Sequence, residues 1–286
     1  MSSRYSVSTP LAYVLLFGAG ILWSTGGVLI KWIDWHPLAI AGMRSAIAAV
    51  VLSGFIRKPR FNWSFAQVGG AVCFAVTVIL FVTSTKLTTA ANAILLQYTA
   101  PIYTALFSGV FLKERVHWYD WLVTMVVFGG ILLFFMDNLT LRGTWGSVLA
   151  IFSGISWAWL GLFLRKQKDA SPFESILLGH LLTSVIGLPF MFHSAPSSAG
   201  WLGLVLLGIF QMGISHFIYA LAIRRVRALD AILVLTIEPI FNPIIVYILI
   251  GESPGRMAIV GGCVVLSAVM VRSILQVRKK RKRREG

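Results

Sequence analysis

The chain has 286 residues, of which 57% are hydrophobic and only 12% charged, with a mean hydropathy of +0.83. Soluble globular chains carry about 25% charged residues, so this composition excludes ordinary soluble domains and leaves lipid as the solvent for most of the chain. The 25 Lys and Arg residues outnumber the 10 Asp and Glu residues, for a net charge of +15. In a membrane protein this excess is typical of loops that fix orientation, which disfavours a nucleic-acid binder.

The apolar residues form long continuous runs in which apolar and polar positions do not alternate. In lipid every backbone N–H and C=O must find a partner within the protein, so such runs predict helices. About 20 apolar residues cross the hydrocarbon core of a bilayer, and the first run is too long for the core of a signal peptide. The predicted fold class is an all-α integral membrane protein with ten transmembrane helices. The ten runs are 11–33, 37–56, 64–85, 90–112, 117–136, 144–164, 173–193, 200–223, 230–250 and 256–275.

The distribution of Lys and Arg predicts the orientation of these helices. With the N-terminus inside, the inside segments hold 20 of the basic residues and the outside segments hold 4. Cytoplasmic loops carry an excess of basic residues, so this distribution predicts an inner (plasma) membrane protein with both termini in the cytoplasm. The basic tail, 276–286, is predicted to rest on anionic lipid, and nucleic-acid binding is the disfavoured alternative.

The chain contains an internal repeat of five helices. Helix four falls on helix nine at a shift of 138 residues, and helix one falls on helix six at a shift of 134. Because five is odd, the second repeat should enter the membrane from the opposite side, and inverted halves around a central cavity can exchange outward and inward openings. The predicted domains are a first repeat at 1–143, a second, inverted repeat at 144–275, and the tail at 276–286. The aligned pairs include Ala93 with Ala231, Pro101 with Pro239, Lys86 with Arg224, Gly20 with Gly154, Trp23 with Trp157 and Lys31 with Arg165.

Two segments at equivalent repeat positions carry a family resemblance. They are Ala93-Ile94-Leu95-Leu96 with Pro101 and Phe111-Leu112-Lys113-Glu114, and Ala231-Ile232-Leu233 with Glu238-Pro239 and Ile250-Gly251-Glu252. Both resemble the closing signature of an EamA-type repeat. The chain is similar over its whole length to the drug/metabolite transporter superfamily, and within it looks most like the YddG-type aromatic amino-acid exporters. The resemblance implies a central cavity lined by helices one, three, four, six, eight and nine, with helices five and ten as peripheral supports.

Polar and aromatic side chains in the middle of the predicted helices are candidates for the wall of a substrate cavity. A polar group at this depth usually faces the interior or a cavity, and an aromatic ring can stack on a planar substrate. Helix packing is the alternative for each residue. One face of helix eight carries Met212, His216 and Tyr219, and its repeat partner in helix three carries Phe74, Val78 and Phe81. The full set of candidates is Trp23, Gln97, Tyr98, Trp157, Trp159, Met212, His216 and Tyr219.

Two prolines and two charges inside the helices are candidates for a hinge or for energy coupling. Pro101 and Pro239 each remove a backbone donor and can kink their helices at equivalent positions, either as gate hinges or as static kinks. Glu238 is either a proton-coupling site or an anchor for a substrate amino group, or else a structural link at the kink. Arg44 either pairs with Glu238 or extends to the membrane interface.

No motif for catalysis or cofactor binding is found in the sequence. The five His residues are scattered without metal-ligand spacing, and there is no Walker loop, so the chain is predicted to be no enzyme and to need no metal or cofactor. The favoured function is a secondary transporter that exports amino acids, aromatic or other bulky neutral ones, and related metabolites by alternating access. The alternatives are an exporter of cationic drugs or other metabolites, a channel, and a membrane-embedded enzyme. The oligomeric state stays open, with a monomer allowed.

Overall fold

The computed structural model describes residues 7–56, 59–136, 143–168, 172–241, 245 and 256–285. All regular secondary structure in these residues is helical, which confirms the all-α class. The tail predicted at 276–286 continues the last helix as far as Glu285. The helices are α1 (Thr9–Trp23), α2 (Gly26–Trp32), α3 (Pro37–Ile56), α4 (Phe65–Leu87), α5 (Ala90–Gln97), α6 (Ala100–Leu112), α7 (Trp118–Phe135), α8 (Thr144–Lys166), α9 (Pro172–Gly187), α10 (Ser198–Leu206), α11 (Ser215–Ile223), α12 (Ala228–Leu235) and α13 (Arg256–Glu285).

Seven helical stretches of the described residues are long and apolar enough to cross a membrane. Two shorter apolar helices, Trp118–Leu133 and Ile259–Arg272, add to them. The membrane-protein class is therefore confirmed, whereas the count of ten helices and the inversion of the halves remain predictions. The loop predicted at 137–143 lies outside the described residues except for Gly143, and so does Glu252. The seven stretches are Thr9–Trp32, Pro37–Ile56, Phe65–Leu87, Asn92–Leu112, Thr144–Lys166, Pro172–Phe192 and Ser198–Ile223.

The outer surface of the helix bundle is apolar. Val50 on α3 and Val110 on α6 are 74% and 86% exposed, and Phe65 at the start of α4 is 74% exposed. Such a surface would be costly in water, whereas lipid tails solvate it without penalty. The side chains on this surface therefore face the bilayer, and the polar groups that could act on a substrate lie inside the bundle.

Three of the predicted helices are broken in the middle. The turn at residues 24–25 separates α1 from α2, the turn at 98–99 separates α5 from α6, and the turn at 236–237 separates α12 from a helical segment at 238–241. The last two breaks precede Pro101 and Pro239, which are each the second residue of the segment that follows. A proline in a first turn removes a donor that has no helical partner anyway, so these prolines start new segments rather than kink continuous helices.

The predicted helix eight runs without interruption from α10 to α11 through a π-helical segment, Leu207–Ile214. A π-helical turn holds an extra residue, which widens the helix and is frequent at functional sites. Gly208 lets this segment approach α3, because a β-carbon at Gly208 would lie 2.5 Å from the Cβ of Ile47. The wide turn brings Gln211 and Met212 towards the middle of the bundle.

Two equivalent glycines each pack against a helix break. A β-carbon at Gly154 on α8 would lie 2.6 Å from the backbone oxygen of Gln97, where α5 ends. A β-carbon at Gly20 on α1 would overlap the side chain of Ile237, in the break that follows α12. A glycine at each position lets the helix approach the break without this overlap. Each break is therefore held by a helix from the opposite half of the sequence.

Four charged residues form a network at one end of the bundle. Arg227, which precedes α12, contacts Asp120 on α7 at 3.1 Å and Asp230 on α12 at 2.9 Å. Arg272 on α13 contacts the same two carboxylates at 2.9 and 2.8 Å. The side chains of Asp120 and Arg272 are only 0% and 5% exposed. The network joins three helices and connects the predicted first half to the second.

Candidate substrate cavity

The breaks and the π-helical segment surround a cavity of about 60 Å³. One water molecule needs about 10–15 Å³ by this measure, so the cavity has space for roughly four to six waters. Its walls come from all six helices that the family resemblance implies, and also from helix two, through Arg44 on α3. The lining residues are Trp23, Arg44, Phe74, Thr77, Val78, Phe81, Gln97, Trp157, Leu160, Gln211, Met212, His216 and Glu238.

Most of the predicted cavity residues meet in this place. Five of the eight line the cavity, namely Trp23, Gln97, Trp157, Met212 and His216, and the predicted coupling residues Arg44 and Glu238 line it as well. Tyr98 and Tyr219 lie directly behind the wall. The hydroxyl of Tyr98 is 2.7 Å from the carboxyl of Glu238, and the ring centre of Tyr219 is 5.5 Å from that of Trp23.

Trp159 lies elsewhere. Its ring packs against Phe107 and Phe111 of α6, with ring centres 5.0 and 5.3 Å apart, and against Phe163 one turn along α8. Trp157 and Trp159 are two residues apart, and this spacing turns them to different faces of a helix. The position of Trp159 therefore fits helix packing, the alternative reading of that residue.

An aromatic cluster forms one wall of the cavity, with Trp23 at its centre. The ring centre of Trp23 lies 6.0 Å from that of Trp157 and 5.2 Å from that of His216. The indole N–H of Trp23 donates to the hydroxyl of Ser215 at 2.7 Å, which fixes the orientation of the ring. Tyr98 meets Trp157 edge to face, with ring centres 5.0 Å apart. A wall of this kind offers ring faces and edges to a planar apolar group.

A pair of histidines and a phenylalanine pack together next to this cluster, and two of them, Phe74 and His216, line the cavity. The ring centres of His180 and His216 are 5.2 Å apart, and Phe74 lies 4.4 Å from the first and 5.0 Å from the second. Nδ1 of His216 is 2.7 Å from the carbonyl oxygen of Met212, so it donates, and Nε2 is the acceptor in a neutral ring. Within the described residues no group of three or more His, Cys, Asp or Glu side chains could hold a metal ion.

The two charged residues of the cavity remain apart. Arg44 is 1% exposed and donates from Nη1 to the amide oxygen of Gln211 at 3.4 Å. Glu238 is 6% exposed and contacts the hydroxyl of Tyr98. No ion pair in the described part of the chain joins Arg44 to Glu238. Because Arg44 is buried and lines the cavity, it does not extend to the membrane interface.

Sequence reasoning missed part of the wall. Phe74, Val78 and Phe81 line the cavity, and the only signal for them was their alignment with the stripe on helix eight. His180 and Gln211 carried no signal, since a lone polar residue in an apolar run does not reveal which face it occupies. His180 is fully buried behind the cavity, beside Phe74.

A helical bundle with a lipid-facing surface, whose broken helices converge on a central cavity, has the architecture of membrane transporters. The EamA-like transporter family model matches the chain twice, at residues 10–136 and 144–274. The chain belongs to the EamA-like transporter family, and the predicted superfamily resemblance is confirmed at this level.

Several named proteins are similar over most of their length. An uncharacterized transporter of Archaeoglobus fulgidus is 24% identical over 88% of this chain and 93% of its own. The uncharacterized inner membrane transporter YedA of Escherichia coli is 24% identical over 94% of this chain and 92% of its own. The human solute carrier family 35 member G1 is 26% identical over 91% of this chain and 77% of its own. A crystal structure at 19% identity superposes with a TM-score of 0.81, covering 95% of this chain and 99% of that one, which shows a shared fold.

Proposed function

We propose that the chain is a secondary transporter that exports amino acids, with aromatic and other bulky neutral ones first, together with related metabolites. One observation carries the proposal: a single cavity places aromatic rings beside one guanidinium, from Arg44, and one carboxyl group, from Glu238. An amino acid with a planar side chain offers a carboxylate for the guanidinium, an amino group that can donate to a carboxyl oxygen, and a ring for the aromatic wall. This substrate class agrees with the resemblance to YddG-type exporters.

The packing of the two halves supports transport by alternating access. Lys31 donates to the carbonyl of Thr88 at 2.7 Å, and its repeat partner Arg165 donates to the carbonyl of Arg224 at 2.8 Å. The aligned pair Lys86 and Arg224 makes the same kind of hydrogen bond. Lys86 donates to the backbone carbonyl of Ile33, and Arg224 donates to the backbone carbonyl of Lys168. Gly20 packs against the break in the second half, and Gly154 packs against the break in the first half. These contacts and hydrogen bonds favour two halves of similar structure, 1–143 and 144–275, in opposite orientations. Such halves can exchange conformations and move the opening from one side to the other.

The distribution of Lys and Arg along the chain indicates the membrane and the orientation in which the protein works. We place the chain in the inner (plasma) membrane with both termini in the cytoplasm, where the basic tail 276–286 contacts anionic lipid.

The charge of the cavity argues against the alternative of a cationic drug exporter, because Arg44 would repel a substrate whose only charge is positive.

Transport by purified protein tests this function. In proteoliposomes loaded with unlabelled phenylalanine, we expect saturable uptake of labelled phenylalanine by counterflow, with competition by tryptophan. Counterflow needs a carrier that binds on one side at a time. Uptake that rises linearly with concentration and gains nothing from the internal substrate would instead indicate a channel, and no uptake of any amino acid would reject the proposal.

A matched pair of tryptophans tests the cavity. Trp157→Ala should lower the uptake rate at limiting substrate by about tenfold, equivalent to about 1.4 kcal/mol, because it removes a ring from the wall. Trp159→Ala removes the same group two residues away, in a packing contact, and should change the rate by less than about twofold at equal protein level. Equal losses in both variants would show that the cavity assignment is wrong.

The paired prolines provide a test of alternating access. Pro101→Ala and Pro239→Ala each return a backbone donor beside a helix break, which favours a continuous helix across it. Because the two breaks lie in halves of proposed opposite orientation, we expect slower transport in both variants and shifts of the resting conformation in opposite directions. Labelling of introduced cysteines from each face, in a background without Cys73 and Cys263, measures the shift. Shifts in the same direction would contradict inverted gates.

A further inference from the structure

We propose that the cavity recognises its substrate by a carboxylate group, which binds to the guanidinium of Arg44 while Glu238 carries a proton. This inference rests on the proposed function and deepens it, since it names the charge that the substrate must bring. It assigns a role to a residue of helix two, which the family resemblance does not include among the helices of the cavity.

Most hydrogen-bond donors of Arg44 have no partner among the described residues. A guanidinium has five N–H donors and cannot lose its charge in a protein. The described residues accept from only one of them, through the long contact to Gln211, and Nε is buried without a partner. The residue is 1% exposed and lines the cavity. An unpaired charge at this depth is costly, so Arg44 should bind an anionic group of the substrate.

Glu238 is the Asp or Glu residue that lines the described part of the cavity. The hydroxyl of Tyr98 lies 2.6 Å from the carbonyl oxygen of Leu235 and 2.7 Å from the carboxyl oxygen Oε2 of Glu238. A phenol has one hydrogen and can donate to only one of these oxygens. Both contacts are satisfied when Tyr98 donates to the carbonyl and the protonated carboxyl group donates to Tyr98. If Glu238 were ionised, the single hydrogen of Tyr98 could serve only one neighbour. The hydroxyl oxygen would then face either the carbonyl of Leu235 or the carboxylate of Glu238 with no hydrogen between the two oxygens.

No other group among the described residues of the cavity can neutralise Arg44. The remaining titratable side chains around it are Tyr98 in the turn after α5, His180 on α9, and His216 and Tyr219 on α11. A histidine is neutral or cationic, and a tyrosine that donates its hydrogen is neutral. With Glu238 protonated, the described lining therefore carries one uncompensated positive charge.

The anionic group that suits Arg44 is a carboxylate. A carboxylate accepts two parallel hydrogen bonds from the fork of a guanidinium, a geometry that a single arginine can satisfy. A phosphate group carries more charge and would need several cations, whereas Arg44 is the only Lys or Arg among the lining residues of this cavity. Once the carboxylate is bound, the rings of Trp23 and Trp157 are available to the side chain of the substrate.

Competition with matched analogues tests the assignment. Phenylalanine, 3-phenylpropanoate, phenethylamine and phenylalanine methyl ester share one ring but differ in their charged groups. We expect 3-phenylpropanoate to displace labelled phenylalanine within about tenfold of phenylalanine itself. Phenethylamine and the methyl ester, which lack a free carboxylate, should be at least about a hundredfold weaker. Displacement by phenethylamine as strong as that by 3-phenylpropanoate would overturn the proposal.

Variants of Arg44 locate the effect. Arg44→Gln should weaken phenylalanine binding by about a hundredfold and remove the preference for 3-phenylpropanoate over phenethylamine, whereas Arg44→Lys should retain part of it. Arg115→Gln, at an exposed arginine, serves as the matched control and should retain the full preference. A preference that survives in folded Arg44→Gln protein would show that another group binds the carboxylate.

Two further measurements keep this inference separate from the proposed function. Thermal stabilisation of the purified protein by 3-phenylpropanoate but not by phenethylamine would support the carboxylate site even if no amino acid were exported. In infrared spectra we expect the carbonyl band of a protonated carboxylic acid, lost in Glu238→Gln and shifted in Tyr98→Phe. A spectrum in which Glu238 contributes only ionised carboxylate bands would overturn the protonated state.

Discussion

Gly154→Ala is expected to destabilise the protein by about 3 kcal/mol and to abolish most transport. The added β-carbon would lie 2.6 Å from the backbone oxygen of Gln97 and 3.2 Å from its Cα, and a backbone cannot rotate away as a side chain can. To relieve the overlap, α8 must separate from the end of α5, beside Gln97 and Trp157 in the cavity wall. The melting temperature in detergent and the uptake rate at equal protein level measure the two effects.

Two other glycines give the matched series for this prediction. A β-carbon at Gly18, on α1, meets nothing within 4 Å, so Gly18→Ala should leave stability unchanged or slightly raised, since alanine favours helices. A β-carbon at Gly20 overlaps the side chain of Ile237, whereas the nearest backbone atom is 3.7 Å away, so a change of rotamer at Ile237 can relieve the overlap at some cost and Gly20→Ala should have an intermediate effect. If Gly154→Ala melts within the range of Gly18→Ala, the close approach of α8 to the break is not required.

The sequence was sufficient for the class of fold because lipid imposes simple rules on a chain. Runs such as 37–56 and 64–85 have the length and apolarity of a span, and the structure places α3 and α4 there to within two residues. The repeat alignment also pointed to cavity residues. Phe74 and Val78, the partners of Met212 and His216 in helix three, line the cavity as well. Such matches follow from position along a helix, which spacing encodes.

The breaks and the charges of the cavity could be predicted only in part. Pro101 and Pro239 mark the two helices that change course, but they do not show that the helix ends at 98–99 and begins again, with Gly154 of another helix packed against Gln97. Whether Arg44 extends to the interface or enters the cavity depends on how α3 is rotated against the π-helical segment, where Gly208 allows a close contact. These are tertiary effects between residues more than 50 positions apart, and no local pattern records them.

Arg272→Met is expected to lower the free energy of unfolding by about 3–5 kcal/mol, the usual cost of removing one partner from a buried ionic network. Arg272 bridges Asp120 and Asp230, with N–O distances of 2.9 and 2.8 Å. Without it, two buried carboxylates share the single guanidinium of Arg227. Arg272→Lys should recover only part of the loss, because an ammonium group cannot present the planar fork that bridges two carboxylates. Unfolding of the purified protein in mixed detergent measures the change.

A second substitution tests whether the loss arises from unbalanced charge. Adding Asp230→Leu to Arg272→Met leaves one balanced pair, Arg227 with Asp120. The double variant should therefore lose less stability than the sum of the losses in the two single variants, by at least about 1 kcal/mol. Arg115→Met, at an exposed arginine near the same end of the bundle, should change stability by less than about 0.5 kcal/mol. If Arg272→Met costs no more than Arg115→Met, the network does not stabilise the fold. Additive losses would instead assign the effect to packing of the long Arg272 side chain, independent of its charge.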